Sequence, residues 1–215
     1  MARKRLVVFD LDGTLVDSTE DIATAFNVAT SRVAPGTPPI ELDVVRALIG
    51  HGARNLVARG LEVAGLPHDP ATVLPVFLDA YSTCLLDKTR LYSGTAEALD
   101  ALAGRTLAVL TNKPGGLSRA ILAGLGVADR FARVVGGGDG PASKPDPAGL
   151  ALLMRDFAAT PAETLMVGDS PVDVATARAA GVEIAGVLYG LDPASLLAAQ
   201  PDFAIEFPKQ LLEVC

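Results

Sequence analysis

Leu6-Val7-Val8-Phe9-Asp10-Leu11-Asp12-Gly13-Thr14-Leu15-Val16-Asp17 is the stretch on which the reading of this chain turns. Its four leading apolar residues, rich in β-branched and aromatic side chains, make a short continuous run. Such a run reads as a strand buried on both faces. Two carboxylates follow, two residues apart, and Gly13 allows a sharp backbone turn. By itself Asp12-Gly13 could be a plain turn with an aspartate capping a helix.

Working outward, similar runs recur. Leu107–Leu110, Val134–Val135, Leu165–Val167, Ile184–Val187 and Phe203–Ile205 read as strands. Helical stretches stand between them at Gly116–Ala123, Pro147–Phe157 and Pro171–Ala180. Buried strands alternating with helices predict an α/β fold, a doubly wound parallel sheet with helices on both faces. Between Asp17 and Leu86 the alternation stops. Four helical patterns, Thr19–Ser31, Glu41–Leu48, Arg54–Ala64 and Ala71–Leu86, are separated by Pro- and Gly-rich breaks such as Pro35-Gly36-Thr37-Pro38-Pro39. This predicts an α-helical insert at 17–86 within a core made of 1–16 and 87–215.

Composition narrows the function. Of 215 residues, 50% are hydrophobic and 20% charged, so disorder is excluded. Eighteen Lys and Arg against 25 Asp and Glu give a net charge of −7. That balance argues against a nucleic-acid partner and against a polybasic membrane patch. A mean hydropathy of +0.37 comes without any run near the ~18 apolar residues of a spanning helix. Arg3-Lys4-Arg5 before Leu6–Phe9 imitates a secretion signal, but Asp10 and Asp12 cut the apolar run short. Two separated cysteines, Cys84 and Cys215, show no disulfide or zinc pattern, and a reducing cytoplasm is expected.

In an open α/β sheet, ligands bind beyond the carboxyl ends of the strands. Chemistry-bearing residues gather there in order. Asp10 and Asp12 follow the first strand, Thr111-Asn112-Lys113 the next clear one, and Gly168-Asp169-Ser170-Pro171 the strand at 165–167. Ser143-Lys144-Pro145 precedes a helix, and Asp173 stands four residues past Asp169. Crowded carboxylates repel one another unless a cation lies among them, and a hard divalent ion such as Mg²⁺ suits oxygen ligands.

The ordered set Asp-x-Asp-Gly-Thr-Leu-x-Asp, Thr-Asn-Lys, Ser-Lys-Pro and Gly-Asp-Ser-x-x-Asp resembles the four motifs of the haloacid dehalogenase superfamily. The match spans nearly the whole chain. The helical insert is similar to that superfamily's C1 cap on its Rossmann-like core. Asp10–Ser18, Ile49-Gly50-His51-Gly52-Ala53 and Leu110-Thr111-Asn112-Lys113-Pro114 most resemble the phosphoglycolate phosphatases.

The resemblance implies an Mg²⁺-dependent phosphomonoesterase that acts on a small phosphorylated metabolite through an aspartyl-phosphate. It casts Asp10 as nucleophile, Asp12 as general acid/base and Lys144 as the neutralising ammonium. Asp10, Asp12 (through its carbonyl) and Asp169 would hold the metal. Asp173 would stand behind them, fixing Lys144 or a water at the metal. Gly13, Thr111 and Asn112 would meet the phosphate, and His51 and Arg54 of the cap the rest of the substrate. The bland reading of Arg54 is a solvated helix residue, and of His51 a loop surface residue. Lys113 receives no catalytic role. The resemblance puts 2-phosphoglycolate first, with a sugar phosphate, or a sugar phosphomutase of the same superfamily, as the alternative. A non-enzymatic phosphoacceptor module is remote, because Asp12 and a cap have no use there. Monomer and homodimer both remain open.

Overall fold

The computed structural model describes residues 4–215, so Arg3 of the signal-like start lies outside the described residues. The chain divides into two compact units, residues 18–90 and the remainder on either side of them. Two short strands, β2 (Val16–Asp17) and β3 (Arg90–Leu91), pair with each other.

The larger unit is built on a six-stranded sheet in the order β5-β4-β1-β6-β7-β8. Its strands are β1 (Leu6–Phe9), β4 (Thr106–Pro114), β5 (Arg133–Gly137), β6 (Thr164–Gly168), β7 (Glu183–Val187) and β8 (Phe203–Ile205). Every pairing is parallel. From β1 the chain winds out to one edge and then returns to build β6, β7 and β8 on the other side. The order therefore reverses beside β1, which is where open sheets form their binding crevice.

Period-two alternation sorts the strand side chains between the two faces. Leu6 and Val8 join Leu110, Leu150, Met166, Val174, Ile184 and Leu196 in one buried cluster. This cluster brings helices α7 (Ala148–Asp156), α8 (Pro171–Ala179) and α9 (Pro193–Ala198) onto that face. Phe9 points the other way and meets Phe131 edge-on at 6.1 Å. The fold is the doubly wound parallel α/β sheet that the apolar runs predict.

Details differ from the sequence reading. Strand β4 runs on through Thr111, Asn112 and Lys113 to Pro114, with a register shift against β5. Its polar end escaped a reading based on apolar runs. Helices α5 (Thr95–Ala101), α9 and α10 (Leu211–Val214) are too short to show a clear 3.6-residue period.

The smaller unit holds helices α1 (Thr19–Val33), α2 (Leu42–Arg46), α3 (Ala53–Val63) and α4 (Pro70–Thr83). Phe26, Val45, Val57, Leu61, Val73, Phe77 and Tyr81 are buried within it. Phe77 and Tyr81, one helical turn apart, stack at 5.8 Å. Asp21 at the start of α1 fastens the far end of the unit. Its buried carboxylate accepts the N–H groups of Lys88 and Thr89 and the Thr89 hydroxyl at 2.7–3.1 Å.

Candidate active site

The register of the central strands places the first carboxylates. Phe9 pairs with Val167, so the residues that follow each strand emerge side by side. The Asp10 N–H still donates to the Val167 carbonyl at 2.9 Å. Asp10, Asp169 and Asp173 are all buried, and each offers a carboxylate oxygen within 4.8 Å of the other two.

Lys144 reaches this cluster from the loop before α7. Its ammonium lies 2.8 Å from Asp10 Oδ1 and donates to Asp173 Oδ1 at 2.6 Å. The Leu11 N–H donates to the same Asp10 oxygen at 2.7 Å, which orients the carboxylate. Asn112 explains how Lys144 is held. Its amide donates to the Lys144 carbonyl at 3.0 Å and accepts the Lys144 N–H at 2.8 Å. The Asn112 side-chain amide thus clamps the lysine backbone.

Asp173 is committed twice. Besides Lys144, its Oδ2 accepts the N–H and hydroxyl of Ser170, forming the capping box that starts α8. Both oxygens are therefore engaged, which suits a residue that supports Lys144.

Asp169 sits in a tight cradle. It accepts the Thr14 hydroxyl at 3.2 Å and the Leu191 N–H at 3.0 Å. Gly13 has φ +85°, and a Cβ there would lie 2.1 Å from Asp169 Oδ2. A Cβ on Gly190 would lie 2.3 Å from that of Asp169. Both glycines are required by this close approach. Tyr189 closes the same side, its ring 5.0 Å from Tyr92 and its hydroxyl donating to the Thr14 carbonyl.

The electrostatics follow from burial. Desolvation pushes the Asp10 carboxyl up to about 6, Lys144 opposes that, and Asp173 adds to it. Burial, then Asp173 and Asp10, also hold Asp169 well above the ordinary carboxylate range. Burial pulls the Lys144 ammonium down, but Asp10 and Asp173 outweigh it and hold it above its usual value. Three buried carboxylates thus gather beside one ammonium, which contacts two of them, Asp10 and Asp173. The donor set is all oxygen and carries an excess of negative charge, which fits a hard divalent cation. The Asp12 carboxylate is not in this cluster.

Asp12 instead faces Lys113, the lysine given no role above. The Lys113 ammonium donates to Asp12 Oδ1 and Oδ2 at 2.9 and 3.2 Å. Thr111 is buried, and its hydroxyl accepts the Lys113 N–H at 3.2 Å. A polar cavity of about 230 Å³ adjoins Thr111, Asn112, Ser143 and Lys144. In the smaller unit, His51 lies exposed between Gly50 and Gly52, both with positive φ, and Arg54 is exposed in the first turn of α3.

A parallel doubly wound sheet with ordered carboxylates and a lysine at its carboxyl edge defines a class, and the comparisons agree with it. Residues 7–187 match the model of the haloacid dehalogenase-like hydrolase family. The chain belongs to this family and is an enzyme, a phosphoric monoester hydrolase. It is 41% identical to a phosphoglycolate phosphatase of Rhodospirillum rubrum over 91% of this chain and 85% of that one. It is 38% identical to a phosphoglycolate phosphatase of Pseudomonas putida over 98% of this chain and 79% of that one. Among solved structures, one described as a predicted phosphoglycolate phosphatase from Haemophilus somnus superposes with a TM-score of 0.91 at 31% identity. That superposition covers 100% of this chain and 99% of the other. No helix among the described residues is long and apolar enough to cross a membrane.

Proposed function

We propose that this chain hydrolyses 2-phosphoglycolate, or a closely similar small acidic phosphate ester, through an aspartyl-phosphate on Asp10. The observation that carries the reading is the Lys144 ammonium lodged between Asp10 and Asp173 at 2.8 and 2.6 Å, with Asp169 in the same cluster. The curated relatives named above favour 2-phosphoglycolate over a sugar phosphate.

An Mg²⁺ ion held by Asp10, Asp169 and the Asp12 carbonyl would neutralise phosphate charge and orient the ester. Lys144 neutralises the nucleophile and the transferred group as a point charge. Thr111 and the Gly13 turn offer donors to the phosphoryl oxygens, beside the polar cavity that Thr111 and Lys144 share. In the first step Asp10 attacks phosphorus. The bond from phosphorus to the ester oxygen breaks, and Asp12 gives that oxygen its proton. In the second step water attacks phosphorus and passes a proton to Asp12. The bond to Asp10 breaks, its electron pair returns to the carboxylate, and inorganic phosphate leaves. The smaller unit would act as the cap that reads the substrate, with Arg54 and His51 available to its carboxylate. The lack of a partnering cysteine pattern supports a place in the cytoplasm.

Turnover of purified protein against a panel of phosphorylated metabolites tests this, with 2-phosphoglycolate expected to give the highest kcat/KM. A sugar phosphate ahead of it would overturn the substrate assignment. Asp10→Asn should abolish turnover of every member of the panel, and retained activity would remove Asp10 as nucleophile. Arg54→Ala should raise KM for 2-phosphoglycolate more than for p-nitrophenyl phosphate. Equal effects would return Arg54 to the solvated surface.

A further inference from the structure

Two buried lysines serve the carboxyl edge of this sheet, and they divide it. Lys144 goes to Asp10 and Asp173, whereas Lys113 goes to Asp12. The Lys113 side chain is 4% exposed and that of Asp12 12%. Burying an ion pair is costly, and an apolar pair would often serve stability as well. The placement therefore calls for a reason other than stability. Asp12 lies two residues from Asp10, one of three buried carboxylates whose oxygens could together hold a cation. A loose Asp12 carboxylate would be drawn to the same cation and lost to proton transfer. Lys113 holds both of its oxygens and keeps the side chain out of that cluster.

Strand geometry makes the hold rigid. Phe9 is in register with Val109, so the ends of β1 and β4 run side by side and bring residues 12 and 113 together. Lys113 lies within β4, its N–H on Thr111 and its carbonyl accepting the Ser118 hydroxyl. It has little freedom to follow Asp12 elsewhere.

We propose that Lys113 is a positioning residue for the second half of the reaction: it holds the Asp12 carboxylate where it takes the proton from the water that attacks phosphorus. This rests on the aspartyl-phosphate reading above. Lys113 need not touch the substrate. Its loss should slow removal of the phosphoryl group from Asp10 more than it slows loading.

Pre-steady-state turnover of p-nitrophenyl phosphate by the full chain with Mg²⁺ separates the two steps, since this leaving group needs little help from an acid. Lys113→Met should release a burst of p-nitrophenol close to one per chain. A steady rate about 10- to 100-fold below wild type should follow, a part of the roughly 10²- to 10⁴-fold that general-base catalysis contributes as a whole. Quenched samples should carry one phosphoryl group by intact mass. Lys113→Gln, which keeps a donor, should fall between Lys113→Met and wild type, and guards against misfolding of the first variant. Asp12→Asn should also accumulate phosphoenzyme, and Lys113→Met should then cost nothing further in its background. A slow steady rate with no burst in both Lys113 variants, or additive losses in the double variant, would overturn the proposal. So would an effect seen only as a raised KM for 2-phosphoglycolate, which would make Lys113 a substrate contact. Failure of Asp12→Asn itself to accumulate phosphoenzyme would instead sink the two-step reading on which the proposal rests.

Discussion

The Lys144 ammonium stands 2.8 Å from the carboxylate of Asp10, although 134 residues separate the two in sequence. Both side chains are almost fully buried. Neither charge could be kept in such a place alone, so the pair is a condition of the site as well as part of its chemistry.

Replacing Lys144 tests that condition. Lys144→Met leaves Asp10 and Asp173 facing each other without their cation. Its expected cost is about 3 kcal/mol in Mg²⁺-free buffer, in line with removal of one partner from a buried pair. Saturating Mg²⁺ should recover part of this. Chemical denaturation with and without the ion measures both, and a variant as stable as wild type in EDTA would contradict the assignment. Turnover should fall by about 10³-fold or more, as when a preorganised charge at the reacting group is lost.

Metal binding should depend on pH in a defined direction. Asp10 is raised from 3.8 to about 6, so the folded protein without metal binds its proton more tightly than the unfolded chain does. The stability that Asp10 contributes in this state is fully present below pH 3.8 and is lost as pH rises through about 6. A divalent cation competes with that proton. The thermal shift produced by Mg²⁺ should therefore be small at pH 5 and grow to a plateau above pH 7, and EDTA should abolish both the shift and turnover. A shift of equal size across this range would argue against Asp10 as a ligand.

Gly190 is the sharpest steric test of the cradle around Asp169. A Cβ there would meet Asp169 Cβ at 2.3 Å and the Gly13 carbonyl at 2.7 Å. Gly190→Ala should cost about 1–3 kcal/mol from overpacking, and on the proposed Mg²⁺ site it should also weaken Mg²⁺ binding, because the Asp169 carboxylate must move. Calorimetry of unfolding and Mg²⁺ titration read the two effects separately. A stable variant with undiminished Mg²⁺ affinity would show that the loop is free to shift.

Asp21 tests the smaller unit independently of the chemistry. Asp21→Ala leaves the N–H groups of Lys88 and Thr89 and the Thr89 hydroxyl without their acceptor. The expected loss is about 2–3 kcal/mol, near the upper end for stranded buried donors. Hydrogen exchange at Lys88 and Thr89 should accelerate, and unchanged protection there would mean another group takes over.

Much of this protein was legible in its primary structure. Runs such as Leu6–Phe9 and Leu165–Val167 announced buried parallel strands, because only a strand covered on both faces is apolar at every position. The order of Asp10, Asp12, Thr111, Lys144 and Asp169 announced chemistry, since such residues are costly to gather by chance at strand ends. Local spacing carries both messages.

The partners were decided by the tertiary structure alone. That Lys113 takes Asp12, that Asn112 clamps the backbone of Lys144 and that Gly13 and Gly190 both crowd Asp169 depend on the register of β1 against β4 and β6. Register is set by the packing of the whole sheet. No window of neighbouring residues contains the other half of any of these contacts, so no pattern along the chain could have named them.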